Sequence, residues 1–229
     1  MSSFFITGSG TDVGKTYIAK EIIARFFSLK KNINAIKPII SGFNKKEILN
    51  SDTGILLKAL KKKQSKKNIN DISPWRYSLP LAPDIAARSE KKKSIVFTEL
   101  LNFCRNQIIK AKNNKQTLLI EGVGGIMCPI NKKKTILDLI NKLDIPVIFI
   151  TRSYLGSISH TLTAIDVLKK NNIKINCIIV NQESRKSHPS MLTETGYSIF
   201  DHSTDIPIYP FLFREKALPE QIDKILNEM

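Results

Sequence analysis

The chain has 229 residues, of which 42% are hydrophobic, and this suits one globular domain over residues 1–229 with a sizeable core. No apolar run has the length of a membrane-spanning helix, and the first residues lack the pattern of a secretory signal peptide. Cys104, Cys128 and Cys177 lack metal-type spacing and predict free thiols. We therefore expect a cytoplasmic protein that has no membrane partner.

The formal net charge is +16, from 36 lysines and arginines against 20 acidic residues, which suits a nucleic-acid or membrane surface. However, the lysine runs are scattered along the chain at predicted helix ends and turns, and they do not alternate with aromatic residues. This pattern favours a solvated basic surface without a nucleic-acid partner. The positive field should still attract anionic substrates.

The first predicted elements are a short strand, Phe4–Ile6, a glycine-rich turn and an amphipathic helix, Tyr17–Phe27. The turn ends in Gly14-Lys15-Thr16, and this order of elements is typical of a P-loop. Backbone N–H groups at a helix N-terminus point at phosphate oxygens, and glycines let the backbone approach them closely. We expect Lys15 to reach the β- and γ-phosphates of a nucleotide and the Thr16 hydroxyl to bind Mg²⁺.

The predicted loop is one residue longer than the usual P-loop, because the strict motif would place its first glycine at Ser9. The glycines of this chain are instead Gly8 and Gly10. The alternative interpretation is a glycine-rich turn that caps an ordinary helix.

A second strand is predicted over 33–42, and it contains Lys37 where the apolar run gives way to proline. Such a lysine either extends to solvent or points at the mouth of the sheet, where open α/β sheets bind ligands. Asn50-Ser51-Asp52-Thr53 precedes a predicted helix over 54–63. Ser51 or Asp52 is an N-cap candidate, and Asp52 is equally a candidate to face a metal ion. Both alternatives remain open.

Residues 64–82 are expected to be irregular, and helices are predicted over 83–89 and 97–112. The next apolar run, Thr117–Ile120, ends in Glu121-Gly122-Val123-Gly124-Gly125. An acid at the end of a strand beside a P-loop suits Mg²⁺, whereas a capped strand end is the alternative.

The remaining chain alternates between predicted helices and strands. Gly156-Ser157 opens one of these helices and forms a second candidate anion site. The predicted elements are helix 136–143, strand 145–150, helix 158–170, strand 174–180, helix 190–200, strand 206–209 and helix 219–227. The alternation predicts an α/β fold of the P-loop NTPase type, with a doubly wound, mostly parallel sheet and helices on both faces.

Seven motifs occur in an order that resembles the dethiobiotin synthetase family over nearly the whole chain. They are Thr7-Gly8-Ser9-Gly10-Thr11-Asp12-Val13-Gly14-Lys15-Thr16, Lys37-Pro38-Ile39-Ile40-Ser41-Gly42, Asn50-Ser51-Asp52, Pro80-Leu81-Ala82-Pro83, Glu121-Gly122-Val123-Gly124-Gly125, Leu155-Gly156-Ser157-Ile158-Ser159-His160 and Val180-Asn181. The longer loop is typical of that family.

The resemblance implies a homodimeric enzyme of biotin biosynthesis that uses ATP, Mg²⁺ and CO₂ or bicarbonate. Its substrate would be 7,8-diaminopelargonate (7,8-diaminononanoate), and its products dethiobiotin, ADP and phosphate. One substrate amine would form a carbamate, the carbamate oxygen would attack the γ-phosphate, and the second amine would close the ring and expel phosphate.

The resemblance also implies roles for individual residues. Lys37, Lys15 and Thr11 would be catalytic, and Thr16, Asp52 and Glu121 would hold Mg²⁺. Ser41 and Thr11 would bind the diamine and its carbamate, and Gly156, Ser157, Ile158 and Ser159 would bind its carboxylate across the dimer interface. The nucleotide would contact Asp12, Val13, Gly14, Lys15, Thr16, Tyr17, Asp52, Glu121, Gly122, Val123, Gly124, Asn181, Pro210 and Phe211, with Asn181, Pro210 and Phe211 at the adenine.

The main alternative is a P-loop partition or positioning ATPase, a switch that binds DNA or membrane. Those proteins usually carry a lysine early in the loop, as K-G-G-x-x-K. Here the corresponding stretch is Thr7-Gly8-Ser9-Gly10, which contains no lysine.

Overall fold

The computed structural model describes residues 2–182, 188–203, 205–212 and 219–229. The strands in chain order are β1 (Ser3–Gly8), β2 (Ile33–Ile36), β3 (Ile39–Ile40), β4 (Trp75–Arg76), β5 (Thr117–Glu121), β6 (Pro129–Asn131), β7 (Lys134–Thr135), β8 (Val147–Ser153), β9 (Ile175–Gln182) and β10 (Ile208–Phe211). The α-helices are α1 (Lys15–Ser28), α2 (Asp52–Ala59), α3 (Lys66–Ile72), α4 (Pro83–Ser89), α5 (Phe97–Asn113), α6 (Ile136–Leu143), α7 (Ser157–Lys170), α8 (Pro189–Ser203) and α9 (Pro219–Asn227).

Six strands form one parallel sheet in the order β10-β9-β8-β1-β5-β2. From β1 the chain first builds the side that holds β2 and β5, and it then crosses over to build the side that holds β8, β9 and β10. The topological switch point therefore lies at β1, and ligands of open α/β sheets bind at the carboxyl ends of the strands beside such a point. The predicted fold is confirmed.

The side chains of successive strand residues alternate between two hydrophobic cores, one on each face of the sheet. In β1, Phe4 and Ile6 belong to the core under α1, α2, α3 and α9, whereas Phe5 belongs to the core under α4 to α8. In β5, Leu119 joins the first core and Leu118 joins the second. Because both faces are covered, the central strands are apolar along their length, as parallel strands usually are.

Two predicted segments differ from the structure. The strand expected over 33–42 is divided at Lys37 and Pro38 into β2 and β3, and β3 leaves the main sheet to pair with β4. The stretch expected to be irregular over 64–82 contains α3 and β4. Ser65 caps α3 because its side chain accepts a hydrogen bond from the Asn68 N–H, a short polar signal that the sequence interpretation missed.

Lysines occupy the positions that follow several helices. Lys30, Lys61, Lys91 and Lys115 each lie two residues after the end of a helix and have φ between 51° and 55°. Lysine near a helix C-terminus also opposes the negative end of the helix dipole. The excess of basic residues therefore serves helix termination in part. Within the described ranges, no helix combines the length and apolarity needed to cross a bilayer.

Candidate active site

The loop between β1 and α1 is fixed by close contacts at both of its glycine ends. A Cβ on Gly8 would lie 2.2 Å from the Ile150 carbonyl oxygen of β8. Gly14 is the N-cap of α1 with φ 96°, and a Cβ there would lie 2.4 Å from Asn181 Nδ2. That same amide donates a hydrogen bond of 2.7 Å to the Val13 carbonyl. The neighbouring strands therefore hold the loop open at the N-terminus of α1, where N–H groups can receive phosphate.

A cluster of charges lies beside this loop, in which Lys37 and Glu121 are buried and Asp52 is partly exposed. Lys37 directly follows β2, and its Nζ donates to Asp52 and to Glu121 Oε1, the latter at 2.6 Å. The Thr16 hydroxyl donates to the same Glu121 oxygen at 2.6 Å. Four elements thus converge on one point: β2 and β5, which pair in the sheet, α2, and α1, which follows β1 through the loop. Of the two alternatives for Lys37, the structure shows the one that points at the mouth of the sheet.

Of the two N-cap candidates at the start of α2, the structure selects Ser51. Ser51 is the N-cap, since its side chain accepts a hydrogen bond from the Gly54 N–H. Asp52 is the first residue of the helix and turns its carboxylate toward Lys37.

The electrostatics of the cluster keep Lys37 and Asp52 charged. Burial alone would lower the pKa of Lys37, but the negative charges of Glu121 and Asp52 outweigh burial and raise that pKa above its usual value. Burial likewise opposes ionisation of Asp52, but the Lys37 ammonium lowers the pKa of this carboxyl below its usual value. The ion pairs therefore compensate for taking these groups out of water.

Lys15 is the second buried ammonium of the site. Its Nζ donates a hydrogen bond of 2.5 Å to the Gly10 carbonyl, which folds the side chain back over the loop. Burial, together with the nearby positive charge of Lys37, lowers the pKa of Lys15 to about 8. A bound phosphate would supply the negative charge that favours the ammonium form.

The donor set around Glu121 fits Mg²⁺. Thr16, Asp52 and Glu121 supply only oxygen atoms, which a hard cation prefers, and Mg²⁺ usually takes few protein ligands and completes its shell with water and phosphate. Glu121 Oε2 is buried and has no hydrogen-bond partner among the described residues, so one carboxylate oxygen remains for a further ligand. Within the described ranges, no group of three histidine, cysteine or acidic side chains forms a larger metal site.

These groups line a cavity of about 520 Å³ at the carboxyl ends of β1, β2, β5 and β8. The predicted site residues on its wall are Thr11, Asp12, Gly14, Lys15, Thr16, Lys37, Ser41, Asp52, Glu121, Val123 and Gly124. Sequence reasoning assigned no role to the other lining residues, Pro80, Leu81, Ala82, Cys128 and Arg152. The first three belong to a motif that contributed to the family resemblance. Arg152 follows the apolar residues of a predicted central strand, and this position at the carboxyl end of the strand is the feature of the sequence that could have indicated a ligand contact.

The residues predicted for the adenine lie on the far side of the loop from the charge cluster. Asn181 and Phe211 are register partners at the ends of β9 and β10. Phe211 is buried against the Tyr17 ring, with ring centroids 6.0 Å apart, whereas Pro210 is exposed. Val13, Tyr17 and Gly122 do not line the cavity either. Their assignment to the nucleotide stays a prediction.

The predicted carboxylate site at the start of α7 is separate from the cavity of the same chain. Gly156 is the N-cap with φ 89°, and Ser157 is buried with its hydroxyl accepting a hydrogen bond from the Tyr154 N–H. Leu155 is fully exposed beside it. None of residues 156–159 lines the cavity, so these residues cannot close it without a second chain or a movement.

This loop and charge cluster are those of a P-loop protein. A family model described as an AAA domain matches residues 2–208. A chain of the MinC:MinD cell division protein complex of Aquifex aeolicus has a TM-score of 0.55 at 13% identity, covering 100% of this chain and 97% of that chain. Chloroplast FtsY of Physcomitrella patens has a TM-score of 0.52 at 9% identity, covering 98% and 64%. These likenesses show the fold.

Relatives of similar sequence identify the family of the chain. The ATP-dependent dethiobiotin synthetase BioD of Phenylobacterium zucineum is 37% identical over 91% of this chain and 88% of its own length. The enzyme of the same name from Acidiphilium cryptum is 38% identical over 91% and 92%, respectively. The chain belongs to the ATP-dependent dethiobiotin synthetase family.

Gly14→Ala tests the strain in the loop. An alanine must adopt the left-handed backbone of Gly14 and displace the Asn181 amide, so we expect the free energy of unfolding to fall by at least about 1–2 kcal/mol. Urea denaturation without nucleotide measures this change. Gly10→Ala is the matched control, because a Cβ there would meet no described atom within 4 Å, and it should change stability by less than about 1 kcal/mol. Equal stabilities of the two variants would show that the backbone of Gly14 is not strained by a side chain.

Proposed function

We propose that this chain joins CO₂ to 7,8-diaminopelargonate and closes the cyclic urea of dethiobiotin, with conversion of ATP to ADP and phosphate. The observation that carries the proposal is the hydrogen-bonded cluster of Lys37, Asp52, Glu121 and Thr16 beside the P-loop, in a chain that belongs to the dethiobiotin synthetase family. The proposal keeps the cytoplasmic location that the cysteine pattern predicts.

In the proposed reaction, one substrate amine adds to CO₂ and releases a proton, which gives a carbamate. A carbamate oxygen attacks the γ-phosphate and ADP leaves, so a carbamic–phosphoric anhydride forms. The second amine then attacks the carbonyl carbon, and the bond from that carbon to the bridging oxygen breaks. Phosphate leaves with the bridging oxygen, and the attacking amine releases a proton. No step needs a cysteine or histidine nucleophile.

The chain's own groups meet the needs of the phosphoryl step, which are mainly positioning and charge stabilisation. Lys15 would contact the β- and γ-phosphates, and Lys37 would stabilise negative charge between the γ-phosphate and the carbamate. Thr16, Asp52 and Glu121 would hold Mg²⁺. When bound, this ion would neutralise charge on the phosphates.

Two hydroxyl groups of the cavity suit the diamine and its carbamate. Ser41 lines the cavity, and its Oγ is buried without a hydrogen-bond partner among the described residues. A buried hydroxyl in this state is costly until a ligand pairs with it. Thr11 lies on the exposed wall of the same cavity and would contact the carbamate from the loop side.

We also propose a homodimer in which the start of α7 faces the partner's cavity and binds the substrate carboxylate. The backbone N–H groups of an α-helix N-terminus suit an anion, and residues 156–159 do not reach the cavity of their own chain. Two exposed apolar side chains lie near this helix start: Leu155 is fully exposed, and Met127 is 56% exposed and lines a groove with His160 of α7.

The direct test is an assay of the purified chain with Mg·ATP, bicarbonate and 7,8-diaminopelargonate. We expect phosphate release that depends on the diamine, and a product with the mass of the cyclic urea. Phosphate release that ignores the diamine and responds to DNA or to lipid vesicles would contradict the proposal and favour the switch ATPase.

Lys37→Ala tests the role of the buried ammonium. We expect the variant to keep its fold and ATP binding and to lose turnover by at least about 100-fold, since one charge contact in a transition state is typically worth several kcal/mol. Steady-state kinetics, ATP titration and circular dichroism measure the three properties. Lys110→Ala removes an exposed lysine of α5 and should behave as the wild type. Turnover near the wild-type value in Lys37→Ala would remove Lys37 from the mechanism.

Leu155→Glu tests the dimer. We expect light scattering to give the mass of two chains for the wild type and a mass close to one chain of 25.9 kDa for the variant, because the glutamate would be buried in the interface. The variant should also lose affinity for the diamine and keep its affinity for ATP. Ile109→Glu introduces the same charge at an exposed apolar position of α5 and should remain dimeric. A wild-type chain that is a monomer would refute the dimer.

A further inference from the structure

Arg152 is a cavity-lining cation that has no partner in the part of the chain that the structure describes. It lies in β8, lines the same cavity as Thr11 and Asp12, and is half-buried. Its Nε is buried and has no hydrogen-bond partner among the described residues, and no acidic side chain in those ranges forms an ion pair with it. A guanidinium nitrogen withdrawn from water without a partner is costly, so this position favours an anionic ligand.

The alternation of side chains along β8 places Arg152 on the α1 face of the sheet. Ile148 and Ile150 belong to the core under α1. Thr151 lies on the opposite face, where its hydroxyl is 2.7 Å from that of Thr161 in α7. Arg152 lies two residues after Ile150 and therefore on the same face of the sheet, so its side chain extends toward α1 and the loop that precedes it.

The neighbour of Arg152 on that face supports the same direction. Asn181 is the register partner of Arg152 on β9, and its amide donates to the Val13 carbonyl in the loop. Arg152 and Asn181 therefore flank the loop from the side of β8 and β9. Glu121 and Lys37 flank it from the side of β5 and β2.

The other two cations of the cavity already have oxygen partners. Lys37 pairs with Asp52 and Glu121, and Lys15 donates to the Gly10 carbonyl. Arg152 differs from both because its buried Nε has no hydrogen-bond partner in the described part of the chain. The planar guanidinium presents several N–H donors in a fixed geometry that matches two oxygens of one phosphate group.

We propose that Arg152 is a further nucleotide-binding residue, which contacts a phosphate of ATP from the β8 side of the loop. The inference rests on the nucleotide binding in the proposed function and adds a residue that the P-loop motif does not contain. Arg152 and the Mg²⁺ ligands would hold the phosphate chain from opposite sides and so fix its orientation over the N-terminus of α1.

The test is the affinity of Arg152→Ala for ATP, ADP and adenosine, measured by titration calorimetry without the diamine. We expect ATP and ADP to bind on the order of tenfold to a hundredfold more weakly, since a hydrogen bond to a charged group is typically of that worth, and adenosine to bind as in the wild type. Arg152→Lys should retain part of the affinity, because it keeps the charge and loses the planar fork.

Arg105→Ala is the control for the change of net charge. Arg105 is exposed on α5 and donates to the Lys142 carbonyl, so its removal should leave the affinity for ATP unchanged. The proposal is overturned if Arg152→Ala binds ATP as tightly as Arg105→Ala does. It is also overturned if only the KM for the diamine rises, because the anion would then belong to the other substrate.

Circular dichroism and thermal unfolding accompany each titration. If Arg152→Ala does not fold, Arg152→Gln, which keeps most of the side-chain volume, is measured in the same way. Failure of both neutral variants to fold would assign Arg152 a structural role and overturn the proposal. The titrations contain no diamine, so a chain that binds ATP through Arg152 and forms no cyclic urea would refute the proposed function alone.

Discussion

The site depends on one buried ammonium held between two carboxylates. Lys37 and Glu121 are buried and Asp52 is partly exposed, and buried charges are costly unless they are paired. The formal charge of the three groups is negative, and Glu121 Oε2 has no described partner. The lysine therefore offsets part of the negative charge, and the cluster still has capacity for a cation. Lys37, Asp52 and Glu121 lie beside the loop, where a phosphate and its metal ion would bind.

The fold supplies this arrangement through the order of its strands. Because β1 lies between β5 and β8, the loop at its end faces a carboxylate on one side and Arg152 on the other. Parallel strands bring their carboxyl ends to one edge of the sheet, and a hydrophobic core covers each face of it. Gly8 and Gly14 let neighbouring strands approach the loop more closely than any side chain would allow. The close packing around the loop and the geometry of the site thus both follow from the order of the strands.

The sequence predicted the residues that belong to recognisable motifs, and the structure brings most of them together. Lys37 and Asp52 had two interpretations each, since their orientation depends on tertiary contacts that local spacing does not contain. The helix α3 was missed because its signal is a single serine cap followed by polar residues. Arg152 was missed because it belongs to no phosphate-binding motif, and only the strand order places it beside the loop. The family resemblance was confirmed by relatives that cover most of the chain.

The central claim is that the γ-phosphate passes to a carbamate oxygen. The most direct test uses C¹⁸O₂ with Mg·ATP and the diamine, over a time shorter than oxygen exchange with water, followed by mass analysis of the phosphate. The account predicts phosphate that carries one ¹⁸O atom, because the bridging oxygen of the anhydride comes from CO₂ and leaves with phosphorus. Unlabelled phosphate would mean that water attacks the nucleotide, and it would contradict the account.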